Sequence, residues 1–584
     1  MSLPALSETE SFLDQQLNSL MLRLCHQCGH EPDTAQRQDL SRLLQRVNQA
    51  TLAGQIALPL PACRLAHGID TLQALPVLGG PDDYTPLVLE HGHVWFRRYW
   101  QYEQRLARNL KQRLRPVELP DTAQAAIDSH LARWFTDPDA TLQRQAVALA
   151  ARRHFSIISG GPGTGKTTSV VCLLALLLEV LQLAPERILL AAPTGKAAMR
   201  LQESIRRART GLALPGAILQ RLPDRAGTLH RLLGYRPGSN RFRHGPQHPL
   251  AAQVVIVDEA SMVDIALMTH LFEAVPAGAR LILLGDRDQL ASVETGSVFR
   301  DLCRYSDQTA HALHAHVTLL QKSWRFHTDS GIGQLAQAVR AGDGQQLVQV
   351  LSRDDWPDLG LQALAHLDAG WLRNAWQSYL AALQENPPDP VRIFTAFNRF
   401  RILTPLRQGN GGSERLNQHI SRLLRPASPR RPPSGPAWFH GRPLLITRND
   451  YRLQLFNGDL GICLQQPDGS FRVWFEGSDD SSPWRSMAPV RLPAHEDAWV
   501  MTIHKSQGSE FEQVLLILPE ENDNPMLGRE LLYTGITRAR SRLDIMGGME
   551  TLKAALQRTL GDVSCLGWRL EQDAAGSAGH TPDA

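Results

Sequence analysis

The chain has 584 residues, too many for one hydrophobic core; at roughly 100–200 residues per domain it divides into about three to five. Apolar residues make up 43% and charged residues 20%, which excludes a disordered or fibrous chain. Net charge is only +3, so a nucleic-acid track must be local. The longest apolar run, Val170–Leu178, stops at Glu179, well short of the ~18 residues that cross a bilayer. Met1–Glu10 has neither the basic nor the apolar region of a secretory signal, which predicts a cytoplasmic chain with no membrane partner.

Residues 1–115 read as mainly helical. Leu40, Leu43, Leu44 and Val47 keep helical spacing after a cap at Asp39, and Leu106, Leu110 and Leu114 form a second stripe before Pro116. Cys25-His26-Gln27-Cys28 is a zinc half-site in spacing, but a second ligand pair is missing, so buried thiols are the preferred reading. From about Ala140 short apolar runs alternate with helical stretches: Phe155–Ser159, Ile188–Ala192, Val254–Val257, Leu281–Leu284, then Val514–Leu518 and Leu543–Met546. Such unbroken runs suit parallel strands buried on both faces, in two sheets either side of a long middle section. Ser421–Pro436, rich in Pro, Arg and Ser, reads as an exposed connection. Asn457-Gly458, and the runs Ile462–Gln465 and Phe471–Phe475 across Pro467-Asp468-Gly469, are hairpin signals of a small inserted β barrel. The tail from Asp573 is small and polar, and reads as disordered.

Gly160-Gly161-Pro162-Gly163-Thr164-Gly165-Lys166-Thr167-Thr168 follows a strand and opens the helical run Ser169–Leu181, the context a P-loop requires. Its backbone N–H groups wrap phosphates, Lys166 reaches the β- and γ-phosphates, and the Thr167 hydroxyl ligates Mg²⁺. Asp258 and Glu259 end a second buried strand; Asp258 would hold Mg²⁺, directly or through water, and Glu259 would orient the attacking water. A helix cap is the competing reading of that pair. Gln289, after a third strand and Gly285-Asp286, suits sensing of the γ-phosphate, and the Gln143 amide can pair with an adenine edge. Arg325 and Arg538 are candidate arginine fingers, although either alone is commonly a surface or salt-bridge residue. Only six of the 61 cationic residues are lysines, and four of these, Lys166, Lys196, Lys322 and Lys505, fall in or beside the P-loop and the segments Ala192–Lys196, Ser323–Arg325 and Thr502–Glu510.

The ordered series Gln143, the P-loop, Ala192–Lys196, Thr228–Gly234, Asp258-Glu259, Gly285-Asp286, Ser323-Trp324-Arg325, Thr502–Glu510 and Tyr533–Arg540 spans about 400 residues and resembles the motifs of superfamily-1 helicases. Within them it is most similar to the RecD branch, the alpha subunits of exodeoxyribonuclease V, notably at Gly441-Arg442-Pro443, Arg448-Asn449-Asp450 and Leu455–Asp459. The resemblance implies an ATP- and Mg²⁺-dependent 5′→3′ DNA helicase acting on single strands and duplex ends, with RecB-like and RecC-like partners. It also implies DNA contacts at Thr194, Thr228, His230, Thr502 and His504; hydroxyls and imidazoles suit phosphate contacts, and each could instead be a helix cap. A free-standing RecD-like helicase is the alternative.

The expected architecture is α/β. It comprises a helical partner-binding domain (1–115), a first RecA-like P-loop domain (116–325) and a second RecA-like domain (326–440 and 496–570). An SH3-like barrel (441–495) interrupts the second, and a tail (571–584) follows. A nuclease site of Asp/Glu-x-Lys type is absent: the residues two before the six lysines are Asn109, Thr164, Thr194, Leu320, Ile503 and Thr551.

Overall fold

The computed structural model describes residues 11–576 apart from 212–215, 224, 237, 240, 292–294, 327–328, 363–366, 386, 426–437, 451, 480–481, 521–523, 525–526 and 560–563. The core of the Pro- and Arg-rich connection, and the tail beyond 576, therefore lie outside the described residues. The chain separates into two compact units. One takes the chain up to Arg287, Ala291–Ser323 and the C-terminal helix; the other takes Asp288–Leu290 and Trp324–Thr559.

In the first unit, helices Phe12–Gln27 and Thr34–Leu52 are each opened by a capping box, Ser11 with Asp14 and Asp33 with Gln36. Leu40, Leu43, Leu44 and Val47 are buried as their spacing requires. The cap itself is Asp33. Asp39 lies inside the helix, wholly buried, where its carboxylate accepts from the amides of Ala66 and His67, both at 2.8 Å. Of the two close thiols only Cys25 is buried; Cys28 is exposed at the helix C-cap. The following segment holds four short strands not read from the sequence: β1 (Leu58–Pro59), β2 (Leu78–Gly79), β3 (Leu87–Glu90) and β4 (His93–Phe96), in the order β1-β4-β3-β2. Strands of two to four residues carry too few alternations to register as a pattern.

The main sheet of this unit is parallel throughout. It contains β5 (Phe155–Gly160), β6 (Ile188–Ala192) and β7 (Ala226–Thr228). After the small hairpin of β8 (Tyr235–Arg236) and β9 (Arg241–Phe242) come β10 (Val254–Val257), β11 (Arg280–Gly285) and β12 (Val317–Leu320). Their order is β12-β5-β11-β10-β6-β7. The continuous apolar runs have a simple cause. Phe155, Ile157, Val255, Val257, Leu281 and Leu283 face one core, while Ile158, Val254, Ile256, Ile282 and Leu284 face another.

The second unit repeats the plan with a parallel sheet of β13 (Leu359–Gln362), β14 (Phe400–Thr404), β20 (Val500–Thr502), β21 (Phe511–Ile517) and β22 (Ala539–Met546), ordered β13-β22-β21-β14-β20. Between β14 and β20 the chain inserts β15 (Arg442–Ile446), β16 (Leu460–Gln465), β17 (Phe471–Asp479), β18 (Ser482–Met487) and β19 (His495–Asp497). This sheet is antiparallel throughout, ordered β18-β17-β16-β15-β19. The two hairpin runs read from the sequence pair with Gln465 opposite Phe471, and β19 carries the insert two residues past 495. The two-sheet α/β architecture with a largely helical N-terminal region is as expected.

Two boundaries are corrected. Arg325, bounded with the first domain, lies in the second unit, since the chain leaves the first at Ser323. The C-terminal helix Leu566–Gly576, assigned to the second RecA-like domain and the tail, belongs to the first unit, where Leu566 and Leu570 join the core beside the helix Arg97–Lys111.

Candidate functional site

In a parallel sheet every strand ends at the same edge, and ligands of open α/β sheets gather there. The loop after β5 bends through Gly163 (φ +76°) and Gly165 (φ +88°), a left-handed conformation that favours glycine. Gly160 cannot carry a side chain, because a Cβ there would lie 2.5 Å from Thr164 Oγ1 and 2.8 Å from Leu320 Cβ. Pro162 and Thr164 are buried, Gly161, Lys166 and Thr167 are half-buried and Thr168 is exposed. Thr164 Oγ1 donates to Gly161 O at 2.9 Å, and Lys166 Nζ lies folded back on the carbonyls of Gly160 and Gly161. Gln143 Nε2 donates to Thr164 O at 3.0 Å, while its buried Oε1 has no hydrogen-bond partner among the described residues.

Two strands away, β10 ends in Asp258 and Glu259, the latter in the left-handed region at φ +52°. The reading of this pair as a helix cap is excluded for the Glu259 side chain, which makes no capping bond to the short turn Ala260–Met262. Burial first, and then repulsion from Glu259, raise the Asp258 carboxyl to about 6, with Lys166 and Arg200 opposing the shift. Arg200, on the helix Gly195–Gly211, is a cation near the acids that the sequence did not single out; its only signal was helical spacing from Lys196. Ser323 Oγ donates to Pro162 O at 3.2 Å, so the start of Ser323-Trp324-Arg325 touches the P-loop.

The residues expected to contact DNA fall on two groups of strand ends. Thr194 follows β6 and Thr228 ends β7, on the same edge as the P-loop but displaced along it. Both hydroxyls cap a following helix, Thr194 by accepting from Ala197 N and Thr228 from Arg231 N, each at 3.2 Å. His230 is exposed and meets Tyr235 edge-on at 5.4 Å. In the second unit, Thr502 Oγ1 accepts from Lys505 N at 3.4 Å, and burial lowers the His504 imidazole, which keeps it neutral at pH 7.

The two arginines also sit in the second unit. Arg325 Nη2 donates to Glu510 Oε2 at 2.8 Å, and Arg540 donates to the same oxygen at 2.9 Å. Arg538 is buried and donates to Ser509 O at 2.9 Å and Thr534 O at 3.2 Å. Gln289 belongs to this unit as well. The neighbouring Leu290 N donates to Thr534 Oγ1 at 2.8 Å, and Gln507 Nε2 donates to Leu290 O at 3.0 Å.

A P-loop with a strand-end acid pair on one parallel sheet, and a second parallel sheet carrying the Thr502–Glu510 and Tyr533–Arg540 segments, define a helicase of the P-loop ATPase class. Residues 143–295 match the family described as an AAA domain, and 497–546 match the UvrD-like helicase C-terminal domain. The chain is 35% identical to the RecBCD enzyme subunit RecD of Haemophilus influenzae, over 83% of this chain and 81% of that one. It is 39% identical to the same-named subunit of Mycobacterium tuberculosis, over 90% and 88%. Against the ATP-dependent RecD2 DNA helicase of Deinococcus radiodurans it is 33% identical, over 70% of this chain but 49% of the other. The chain belongs to the RecD family. It is therefore an ATP-dependent helicase that hydrolyses ATP with a divalent cation.

The raised Asp258 carboxyl has a measurable consequence. With its folded value of about 6 above the ordinary 3.8, the contribution to stability is complete below about pH 4 and is lost as pH rises through 6. Asp258→Asn is expected to stabilise the nucleotide-free, chelator-treated chain at pH 8 by about 2–3 kcal/mol, and by much less at pH 4. Thermal melts of the two proteins check this; an Asn variant that melts no higher at pH 8 would refute it.

Proposed function

We propose that this chain is the 5′→3′ DNA helicase subunit of a RecBCD-like complex. In that complex it would pull single strands from duplex ends for recombinational repair in the cytoplasm, while a RecB-like partner supplies DNA cleavage. The observation that carries the reading is similarity along this chain: 35% and 39% identity to RecBCD enzyme subunits RecD over 83% and 90% of its residues, against 33% over 70% for the ATP-dependent RecD2 DNA helicase. Among the described residues no helix is long and apolar enough to cross a membrane, which fits a cytoplasmic partner set.

In this reading the P-loop amides and Lys166 hold the nucleotide phosphates, and Gln143 Oε1 accepts from the adenine amino group while Nε2 keeps its bond to Thr164 O. The pocket chemistry fits a magnesium nucleotide. Thr167 and Asp258 supply oxygen donors for Mg²⁺, which when bound offsets charge on the phosphoryl oxygens. Glu259 orients the attacking water and Gln289 reports the γ-phosphate. Arg325 and Arg538 stabilise charge developing on the transferred group. Arg325 must first leave Glu510, and Lys166 must leave the Gly160 and Gly161 carbonyls, so binding exchanges internal partners for phosphate oxygens. Thr194, Thr228 and His230 on one sheet edge, and Thr502 and His504 on the other, contact the strand backbone. The inserted antiparallel sheet acts as an SH3-like barrel, and residues before about 115 dock a RecC-like partner.

Unwinding of tailed duplexes tests the assignment. The chain, alone and co-expressed with its RecB- and RecC-like partners, is expected to open 5′-tailed and not 3′-tailed substrates by its own motor. A chain that unwinds only from 3′ tails would overturn the polarity, and one that remains monomeric when co-expressed with both partners would overturn the complex.

A further inference from the structure

We infer that Thr534 is a positioning residue that makes Gln289 and Arg538 move as one. The inference rests on the roles proposed above for those two side chains, and deepens that reading. Three residues, Asp288–Leu290, leave the first unit and group with the second. Leu290 is held at both of its peptide groups: its N–H donates to Thr534 Oγ1 at 2.8 Å, and its carbonyl accepts from Gln507 Nε2 at 3.0 Å. Thr534 lies in the helix Arg529–Ile536 and is wholly buried. Its hydroxyl also donates to Glu530 O at 2.7 Å, so it has a fixed direction and cannot rotate without breaking a bond.

The same residue holds the arginine. Thr534 O accepts from Arg538 Nε at 3.2 Å, and Arg538 Nη1 donates to Ser509 O at 2.9 Å. One buried threonine therefore grips the peptide next to Gln289 with its side chain and the Arg538 guanidinium with its main chain. A shift of the helix moves both. In a buried, hydrogen-bonded cluster a partial shift leaves an unsatisfied N–H, which favours all-or-none rearrangement. Gln507, two residues before Ser509, closes the loop, since it holds Leu290 while Ser509 holds Arg538.

The experiment measures steady-state ATP hydrolysis on single-stranded DNA by the full chain carrying Thr534→Val, Thr534→Ser or Gln507→Met. Val keeps the shape and removes the hydroxyl; Ser keeps the hydroxyl; Met releases Leu290 from a different element. Val and Met are each expected to lower kcat by about ten- to a hundredfold with KM for ATP within about twofold, and Ser to restore kcat. In a Gln289→Ala background the Val substitution is expected to cost nothing further, because Thr534 acts through that segment. Wild-type kcat in both Val and Met chains, or a Val effect that adds fully to Gln289→Ala, would overturn the inference alone. A merely structural role predicts lower melting temperature in Val with kcat of the folded fraction unchanged. Absence of DNA-stimulated hydrolysis in the wild-type chain would instead overturn the functional reading, and this inference with it.

Discussion

Lys166→Gln is expected to lower DNA-stimulated ATP hydrolysis by about 10²–10³-fold and to abolish unwinding from 5′ tails, without unfolding the protein. The Lys166 ammonium is the one cation within the P-loop itself, and no neutral side chain of similar length supplies its charge to phosphate oxygens. Its loss hardly disturbs the fold, because among the described residues its ammonium donates to two loop carbonyls, those of Gly160 and Gly161. A half-buried side chain with such partners is worth little to stability. Hydrolysis and strand displacement are measured on the same preparation, with circular dichroism to verify folding. Unwinding that persists in the mutant complex only from 3′ ends is the expected remainder; full-rate 5′→3′ movement would refute the assignment of Lys166.

Arg569→Leu is expected to have the largest effect on stability, about 3–5 kcal/mol on the first unit. Glu103 is wholly buried, accepting from Cys565 N at 2.8 Å and from Arg569 Nε at 2.9 Å. Arg569 also donates to Glu90 Oε2 at 2.7 Å, and its guanidinium lies within 6 Å of the Trp95, Trp100 and Trp568 ring centres, at 5.4, 5.7 and 5.6 Å. Removing the cation leaves an uncompensated carboxylate in the core. Burial already pushes the Glu103 carboxyl up against the opposing pull of Arg569. Without the arginine it rises further, so the penalty is greatest above the folded value and fades as pH falls and the carboxyl binds a proton. The loss in chemical denaturation should therefore be larger at pH 8 than at pH 5. Adding Glu103→Leu to Arg569→Leu should recover most of it. An Arg569→Leu chain as stable as wild type at pH 8 would refute the account.

The P-loop turn was legible because its geometry is local. A P-loop needs glycines at left-handed positions next to a lysine on a helix, and all of these lie within nine residues. The acids at the end of β10 could be read for a related reason: the strands are buried on both faces, so an apolar run that stops at two carboxylates marks a sheet edge. What was missed has longer reach. Asp39 looked like a cap because it precedes an apolar stripe, whereas its partners are the amides of residues 66 and 67. Arg200 shows only helical spacing from Lys196, and Glu510 and Thr534 sit inside quoted motifs without a readable role of their own, since each meets its partners only after folding. The hydroxyls of Thr194 and Thr228 carried two readings in the sequence; both are caps in the structure, and a cap does not exclude a backbone contact.

The sequence by itself determined the class of machine, because phosphate binding, strand burial and helix capping are written in short runs whose spacing is the physics. Only the tertiary structure decided which unit owns Asp288–Leu290, why the C-terminal helix belongs beside Glu103, and which carboxylate holds Arg325. Those answers depend on buried charges and peptide groups finding partners far along the chain, and a low-dielectric interior enforces such pairings without leaving any periodicity to read.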